Sequence, residues 1–399
     1  MGNLRRIENL IPLTVLFLAL INPYPSEAFG YKAVLVVYFI VLLIFLGILW
    51  NLAFLPLPKG NNILNYLVIA FLMTYILSLI SALGLEKTLS LDEHRLIPFL
   101  FASYFLGIFA DKREVPKVLP FIFMASSVFI LLEILVDIFK EYNPTFRFGY
   151  RNVFYTPFMF AISFYLMSEE RGRVRKILYF LAAFISLVCM VLFGNRTNYI
   201  SLGVLTILIF VYVAFKGKSV KSYIINAFRT LSITGLLGLG IGYVMFGYAF
   251  LMYVFSRIST LFTPSETIYD PSAQIRIYDY SLAFQRFYLS PVFGQTEFDM
   301  LTRWIEGKIV NAVDNSFITV LWKMGVFGFA IYVALLIYSF AIVLKGVLKK
   351  DDFAFFTLLL FTSFLITSLT TTILIYYIHI APLMICVGLV AKRLSDISH

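Results

Sequence analysis

Residues 315–344 read NSFITVLWKMGVFGFAIYVALLIYSFAIVL, a stretch that is almost entirely apolar. A helix needs about 20 consecutive apolar residues to cross the hydrocarbon core of a bilayer. Runs of similar length recur along most of the 399 residues. They do not alternate over about 10 residues, as the strands of a membrane barrel do. The sequence therefore predicts an all-α, polytopic membrane protein.

We predict twelve transmembrane helices, each near the length that a helix needs to cross a bilayer. Composition agrees, because 61% of the residues are hydrophobic and 14% are charged, whereas water-soluble domains carry about 25% charged residues. The predicted spans are residues 8–22, 32–55, 62–84, 95–110, 118–139, 153–168, 177–194, 197–215, 229–252, 315–344, 353–371 and 373–391.

The formal net charge of +10 arises largely from basic clusters in every second connection between spans. Cytoplasmic connections are the ones enriched in Lys and Arg. This alternation predicts that both termini are cytoplasmic, and it gives no reason to expect nucleic-acid binding. The clusters are Arg5/Arg6, Lys112/Arg113/Lys117, Arg171/Arg173/Arg175/Lys176, Lys216/Lys218/Lys221, Lys345/Lys349/Lys350 and Lys392/Arg393.

The chain divides into three predicted parts. Residues 1–252 hold helices one to nine, residues 253–313 form a large external loop with amphipathic helices, and residues 314–399 hold helices ten to twelve. A loop of this length is usually functional when it has structure of its own. The loop is therefore the first place to look for a site.

Within the loop, residues 274–289 predict an amphipathic helix that ends at Ser290-Pro291, followed by a turn at Gly294. Apolar side chains are expected on one face, namely Ile275, Leu282, Phe284 and Phe287. Polar side chains are expected elsewhere on the helix, namely Arg276, Asp279, Gln285 and Arg286.

Arginines near the outer face are the candidate ligands of an anion. Arg196 lies in the hairpin FGNRTNY at 193–199. It is either an interfacial arginine that reaches to the headgroups or a phosphate ligand, because guanidinium offers a bidentate fork to oxyanions. The positive-inside rule does not favour arginine on this face, so we favour the phosphate ligand.

Arg276 precedes Tyr280 at helical spacing. Two interpretations stay equally open from spacing alone, a functional arginine and the solvated face of the loop helix. Arg257 and Arg286 are weaker candidates of the same kind. Ionisable residues at a membrane interface are costly unless they are solvated or paired, so a group of them suggests a site.

Asp314 lies at the outer start of the tenth predicted span. Asp, Asn and Ser are the preferred N-cap residues, so Asp314, Asn315 or Ser316 is each able to cap this helix. The alternative is that Asp314 is a general base that draws a proton from an attacking hydroxyl. The residues alone favour the cap.

No motif in the sequence predicts a cofactor or a metal. His94, His379 and His399 have no metal-ligand spacing. The chain also lacks a phosphate-binding glycine-rich loop and a serine-elbow motif. We therefore predict no cofactor.

Three pieces of the sequence together resemble the O-antigen ligase/polymerase superfamily. The family has a small–polar–Arg triplet before a span, as in Gly194-Asn195-Arg196. Its outer loop has an Arg, an aromatic residue four positions on, then a Pro and a Gly, and the next span opens with a polar residue followed at fixed spacing by Gly-x-x-Gly. The corresponding residues are Arg276, Tyr280, Pro291 and Gly294, and then Asn315, Gly325 and Gly328.

The resemblance covers roughly residues 145–330 and includes RFGYRN at 147–152, which is similar to the family's entry to the sixth span. Asp314 stands where the ligases have histidine. This departure favours the O-antigen polymerase (Wzy) branch of the superfamily.

The resemblance implies a GT-C-like membrane fold in the bacterial inner membrane, with a metal-independent glycosyltransferase site on the periplasmic face. The implied donor is a glycan on undecaprenyl diphosphate, transferred en bloc to another lipid-linked repeat unit, and a chain-length regulator is an implied partner. Asp314, Arg276 and Arg196 would be catalytic. Substrate would contact Arg257, Arg147, Arg151, Asn315, Tyr280 and Arg286.

Three alternatives remain at this stage. One is an O-antigen ligase that transfers glycan to a lipid A core or to protein. Another is a flippase or secondary transporter for a lipid-linked sugar, but the sequence shows no internal repeat, and many such transporters have one. The third is a peptidoglycan polymerase, whose outer-loop Asp motif has no clear counterpart here.

Overall fold

The structure is a computed structural model that describes most of the chain. The described residues are 10–16, 18, 40–49, 62–83, 100–140, 155–193, 196–259, 271–294, 301–302, 309–310, 313–370 and 377–397.

The described residues form helices, together with one pair of very short strands. The helices are α1 (10–16), α2 (Ile40–Leu49), α3 (Asn62–Leu83), α4 (Ser103–Phe109), α5 (Glu114–Lys140), α6 (Thr156–Glu169), α7 (Arg173–Phe193), α8 (Arg196–Phe215), α9 (Val220–Phe246), α10 (Tyr248–Ser259), α11 (Pro271–Leu289), α12 (Ser316–Leu348), α13 (Asp352–Thr370) and α14 (Tyr377–Ile397). Strands β1 (Leu301–Thr302) and β2 (Ile309–Val310) pair antiparallel.

Six helices in the described part of the chain are long and apolar enough to cross a membrane. The prediction of an all-α, polytopic membrane protein is therefore confirmed. The total of twelve spans stays a prediction, since several predicted spans extend beyond the described residues. One span is displaced from its predicted bounds of 229–252, because α9 begins at Val220 and ends before Gly247, whose φ of 71° stops the helix.

The interior of the bundle is built from α6, α13 and α14. Nearly every side chain of α6 is buried, and so are most of those of α13 and of the stretch 380–391 in α14. Most of α9, in contrast, is exposed although it is apolar. A helix that is apolar all round is covered either by other helices or by lipid, so α9 lies at the lipid-facing periphery.

Helix α12 is broken at Gly325, which adopts φ 65° and ψ −172°. We call residues 316–324 the first arm and residues 326–348 the second arm. The prediction of one continuous span over 315–344 is therefore wrong. A single glycine inside a helical pattern is tolerated at a modest cost, which is why the apolar run gave no sign of the break.

The first arm folds back along the second. The rings of Phe317 and Tyr332 lie 5.7 Å apart, although these residues would be about 22 Å apart along a continuous helix. The start of α12 also meets the end of the much shorter α13, where the Asn315 side chain donates to the Leu369 carbonyl at 3.1 Å. The second arm alone, about 34 Å long, is sufficient to cross a bilayer.

The turn that follows α11 closes onto the break. The N–H groups of Val326 and Phe327 donate to the carbonyls of Pro291 and Val292, at 2.8 and 3.2 Å. The predicted turn at Gly294 is present, with φ 75°. These bonds satisfy donors at the start of the second arm, which has no helical partner for them.

The two ends of the bundle differ in their polar contacts. The site end comprises the starts of α8 and α12 and the end of α13. The basic end comprises residues 110–117, 169–176, 215–221, 349–352 and 392–393, where most of the basic clusters lie. There Asp352 accepts hydrogen bonds from Tyr165, Tyr212 and Lys216, at 2.7, 3.1 and 2.7 Å.

We expect Gly325→Ala to destabilise the fold and to disrupt the site end. A Cβ at this position would meet the Val292 carbonyl oxygen at 2.3 Å, and its φ and ψ lie in a region that is essentially restricted to glycine, at a cost of about 1–3 kcal/mol. The melting temperature (Tm) in detergent should fall.

The matched control is Gly203→Ala, because a Cβ there meets nothing within 4 Å and alanine is favoured inside a helix by about 0.5–1 kcal/mol. Equal Tm values for the two variants would contradict the assigned break.

Candidate functional site

An ion pair joins the loop helix α11 to the start of α12. Arg276 Nε lies 3.3 Å from Asp314 Oδ2, and their side chains are 40% and 43% exposed. An exposed pair of this kind contributes only about 0–1 kcal/mol to stability. Both groups are therefore held near each other and remain accessible to a ligand.

Tyr280 adds a second bond between the same two elements. Its hydroxyl donates to the backbone carbonyl of Asp314 at 2.9 Å. Burial raises the pKa of Tyr280 above its usual value, so the hydroxyl stays protonated and continues to donate. Arg276 and Tyr280 are four residues apart and share one face of α11, and this face meets Asp314.

Asn315 is the residue that caps α12. Its backbone is extended, and its side-chain Oδ1 accepts from the N–H groups of Phe317 and Ile318 at 2.9 and 3.1 Å. This observation decides between the capping residues that the sequence left open. The Asp314 carboxylate is not used by the cap and instead faces Arg276.

Asn315 also connects α12 to two other helices at the site end. Its amide donates to Leu369 of α13, and the adjacent Thr370 accepts a hydrogen bond from the Thr197 hydroxyl at 3.0 Å. Thr197 follows Arg196, the first residue of α8, whose side chain is half-buried. The three predicted pieces around Arg196, Arg276 and Asp314 thus belong to one end of the bundle.

The other residues predicted to bind substrate either lie far from Asp314 or have side chains outside the described part of the chain. Arg286 lies ten positions beyond Arg276 on α11, a rise of about 15 Å, so the structure does not bring it to Asp314. Arg257 lies on α10, and its side chain falls outside the described part of the chain. Arg147 and Arg151 also lie outside the described residues.

Two ionisable residues near the site are buried, which the sequence analysis did not predict. Asp279 is fully buried on α11, which corrects its assignment to a polar face. Lys323 is 3% exposed on the first arm, with Nζ 4.9 Å from the ring centre of Trp322. The available signal was that Lys323 is the one charged residue in the apolar run 315–344, since such residues are rare in membrane helices and often functional.

Trp322 explains how Asp279 and Lys323 come to lie in the same region. It packs with Ala283 and Val313 in a small buried cluster that joins α11 to α12. Asp279 is one turn of α11 from Ala283, and Lys323 is the next residue after Trp322. The loop helix is thus fixed to the first arm by apolar packing beside two buried ionisable residues.

The chemistry available at the site is that of a carboxylate and guanidinium groups. A carboxylate is able to accept a proton, and guanidinium groups stabilise developing negative charge on oxygen. Among the described residues, no group of three or more His, Cys, Asp or Glu side chains is placed to hold a metal ion.

We expect Asn315→Ala to lower the Tm in detergent, because it removes a cap worth about 1 kcal/mol and the bond to Leu369. Asn315→Ser is the matched variant, since serine caps as well as asparagine but lacks the amide donor. If capping is the main role of Asn315, the Ser variant regains most of the lost stability. A Ser variant as unstable as the Ala variant would assign that stability to the Leu369 contact.

Comparison with known proteins gives one finding. Residues 181–333 match a family model described as O-Antigen ligase. This region runs from α7 into the second arm of α12 and contains Arg196, Arg276, Tyr280, Asp314 and Asn315. No curated protein matches the chain. The family match supports membership of the O-antigen ligase/polymerase superfamily.

Proposed function

We propose that the protein is an O-antigen or polysaccharide polymerase. It transfers a glycan en bloc from undecaprenyl diphosphate to another lipid-linked repeat unit, without a metal, on the outer face of the bacterial inner membrane. The observation that carries the proposal is the division of roles at the start of α12. Asn315 caps the helix, which leaves the Asp314 carboxylate beside Arg276.

In the proposed reaction Asp314 is the general base. The acceptor hydroxyl oxygen forms a bond to the anomeric carbon of the donor, and its proton passes to the Asp314 carboxylate. The bond between the anomeric carbon and the diphosphate oxygen breaks, and its electron pair leaves with undecaprenyl diphosphate. A positioned general base typically accelerates such a step about 10²–10⁴-fold.

Arg276 has a double role in this proposal. It holds Asp314 through a single Nε contact at 3.3 Å, while a guanidinium has five N–H donors in total. The donor diphosphate competes for this guanidinium, because bidentate contacts to phosphate are strong. As Arg276 turns to the diphosphate, the Asp314 carboxylate is released to contact the acceptor hydroxyl.

The start of the first arm supports anion binding at the same place. The N-terminus of a helix carries partial positive charge, which favours phosphate nearby. Arg196 begins α8 at the same end of the bundle. We assign Arg196 and Arg276 to the diphosphate, with Arg257, Arg147 and Arg151 as further contacts.

The depth of the site suits a lipid-linked donor. Since Phe317 reaches the level of Tyr332, the start of the first arm lies about 10 Å along the second arm from the break at Gly325. We propose that a site held by these membrane helices is within reach of the diphosphate of a membrane-anchored donor. The exposed apolar side chains of the spans would contact its polyprenyl tail.

An O-antigen ligase is the second candidate, and the family match favours it by its description. Ligase and polymerase share the donor and the chemistry, and they differ in the acceptor. Asp314, at the position where the ligases have histidine, is our reason to favour the polymerase. A chain-length regulator is the proposed partner protein, and a flippase for lipid-linked oligosaccharide is less favoured.

We expect purified protein with lipid-linked repeat units to produce a ladder of polymers on a gel. Arg276→Ala and Asp314→Asn should each reduce the rate about 10²-fold or more, because they remove the diphosphate ligand and the base. Glycan that appears only on an added lipid A core or protein acceptor would instead indicate a ligase.

Matched controls for this experiment are Arg175→Ala and Glu114→Gln. Both side chains are well exposed, and both lie at the basic end. Their ladders should equal that of the wild type, and the Tm of all four variants should show that they fold. A ladder that persists in both site variants would refute the catalytic assignment.

Transfer should continue in EDTA, because fixed guanidinium groups replace a divalent cation in stabilising the leaving diphosphate. The measurement is the same ladder at saturating chelator, with and without added Mg²⁺. Activity that disappears in EDTA and returns with Mg²⁺ would show that a metal takes part.

A further inference from the structure

A cavity of about 580 Å³ lies at the basic end, far from the candidate site. It opens between the start of α5, the end of α6, the turn from α12 to α13, and the last turns of α14. Its volume is within the range of pockets that bind small molecules. The reaction proposed above uses none of its residues.

The cavity is lined by more basic than acidic side chains. The basic ones are Arg113, Lys117, Lys349, Lys350 and Arg393, and the acidic ones are Asp351 and Asp352. An anion is therefore the class of ligand that this lining favours.

Both acidic side chains are already engaged within the protein. Arg393 holds Asp351 with two bonds, at 2.7 and 3.0 Å. Asp352 accepts from two tyrosines and from Lys216, a lysine outside the lining. Neither carboxylate is therefore available to neutralise the remaining lining cations.

Arg113 and Lys349 are the cations that the protein leaves to a ligand. Among the described residues, no hydrogen bond or ion pair is seen for the side chain of Arg113 or Lys349, and the Arg113 side chain interacts with nearby Asp111 only through its charge. Lys117 pairs with Glu114 at 2.9 Å, but both side chains are well exposed, and such pairs are weak.

Lys350 lies in the turn that ends α12, where the Asp351 N–H donates to the Gly346 carbonyl at 3.2 Å. Lys350 has φ 61°, and no other described non-glycine residue has a positive φ. Glycine would adopt this conformation without strain, yet lysine stands here and lines the cavity. Its Nζ lies 5.4 Å from the Phe215 ring centre, a cation–π contact that is compatible with a further bond to an anion.

The inner wall of the cavity is apolar, with Pro120, Ile162, Leu166 and Phe356 among the lining side chains. A soluble phosphate would use the cations and leave this wall in contact with water. A phospholipid would use both, with its phosphate at the cations and its glycerol and acyl carbons against the wall. Basic pockets between membrane helices are known to bind anionic lipid headgroups.

We infer that this cavity binds the headgroup phosphate of an anionic glycerophospholipid from the adjacent leaflet. Arg113, Lys349 and Lys350 contact the phosphate, and the apolar wall contacts the glycerol and the start of the acyl chains. The positive-inside rule alone explains basic residues at this end of the bundle. It does not predict a cavity between them. The site is independent of the proposed transferase activity.

The test uses the full chain in detergent, titrated with dioctanoyl phosphatidylglycerol and followed by its Tm. We expect saturable stabilisation in the wild type, with an apparent Kd raised about tenfold or more in the double variant Arg113→Gln/Lys349→Gln. The matched control is Lys176→Gln/Lys221→Gln, which removes the same charge from the same end outside the cavity. It should bind as the wild type does.

Three outcomes would overturn the inference. Equal weakening in both double variants would indicate general surface charge. Dioctanoyl phosphatidylcholine that raises the Tm as much as phosphatidylglycerol does would show that the cavity does not recognise the anionic headgroup. Glycerol 3-phosphate that stabilises at equal concentration would identify a site for soluble phosphate. The Tm of each double variant without lipid should equal that of the wild type, which separates loss of binding from loss of folding.

Discussion

A helix that breaks within a membrane protein must find hydrogen-bond partners for the backbone groups that it frees, because lipid offers none. At the break in α12, the partners are the carbonyls of Pro291 and Val292 in the loop that follows α11. The loop is thus fixed to the transmembrane bundle by hydrogen bonds between backbone groups. Glycine is required in both segments, since a Cβ on Gly294 or Gly325 would meet backbone atoms of the other segment within 2.5 Å.

The geometry of the site follows from this attachment. Loop helix α11 is joined to α12 at two levels, by Tyr280 near Asp314 and by the turn at 291–294 near the break. Two attachments fix both the position and the direction of a helix, so the backbone of Arg276 stays beside Asp314 while its side chain is able to turn to a ligand. The folded-back first arm, in turn, brings its own N-terminus to the end of α13 and to the start of α8.

The sequence predicted the fold class and several residues that the structure brings together. It failed where contacts between residues far apart in the sequence determine the local structure. Asp314, Asn315 and Ser316 were equivalent as caps, because propensity does not show which side chain faces the N–H groups. The break at Gly325 depends on carbonyls more than 30 positions earlier in the chain. Asp279 was assigned to a polar face by helical spacing alone, but the packing of α11 on Trp322 buries that face.

The ion pairs at the two ends of the bundle differ in the number of donors that hold the carboxylate and in their exposure. Asp352 is held by three donors at 2.7–3.1 Å, so losing one of them leaves two. Asp314 has one side-chain contact to Arg276, at 3.3 Å, with both partners about two-fifths exposed. Such a pair contributes at most about 1 kcal/mol, and a diphosphate that makes charge-assisted bonds to arginine is able to displace it. The Arg276–Asp314 pair is therefore weak and accessible, while the helices that carry it are rigidly attached. In the proposed reaction this combination lets the donor diphosphate release the Asp314 carboxylate only when the donor binds.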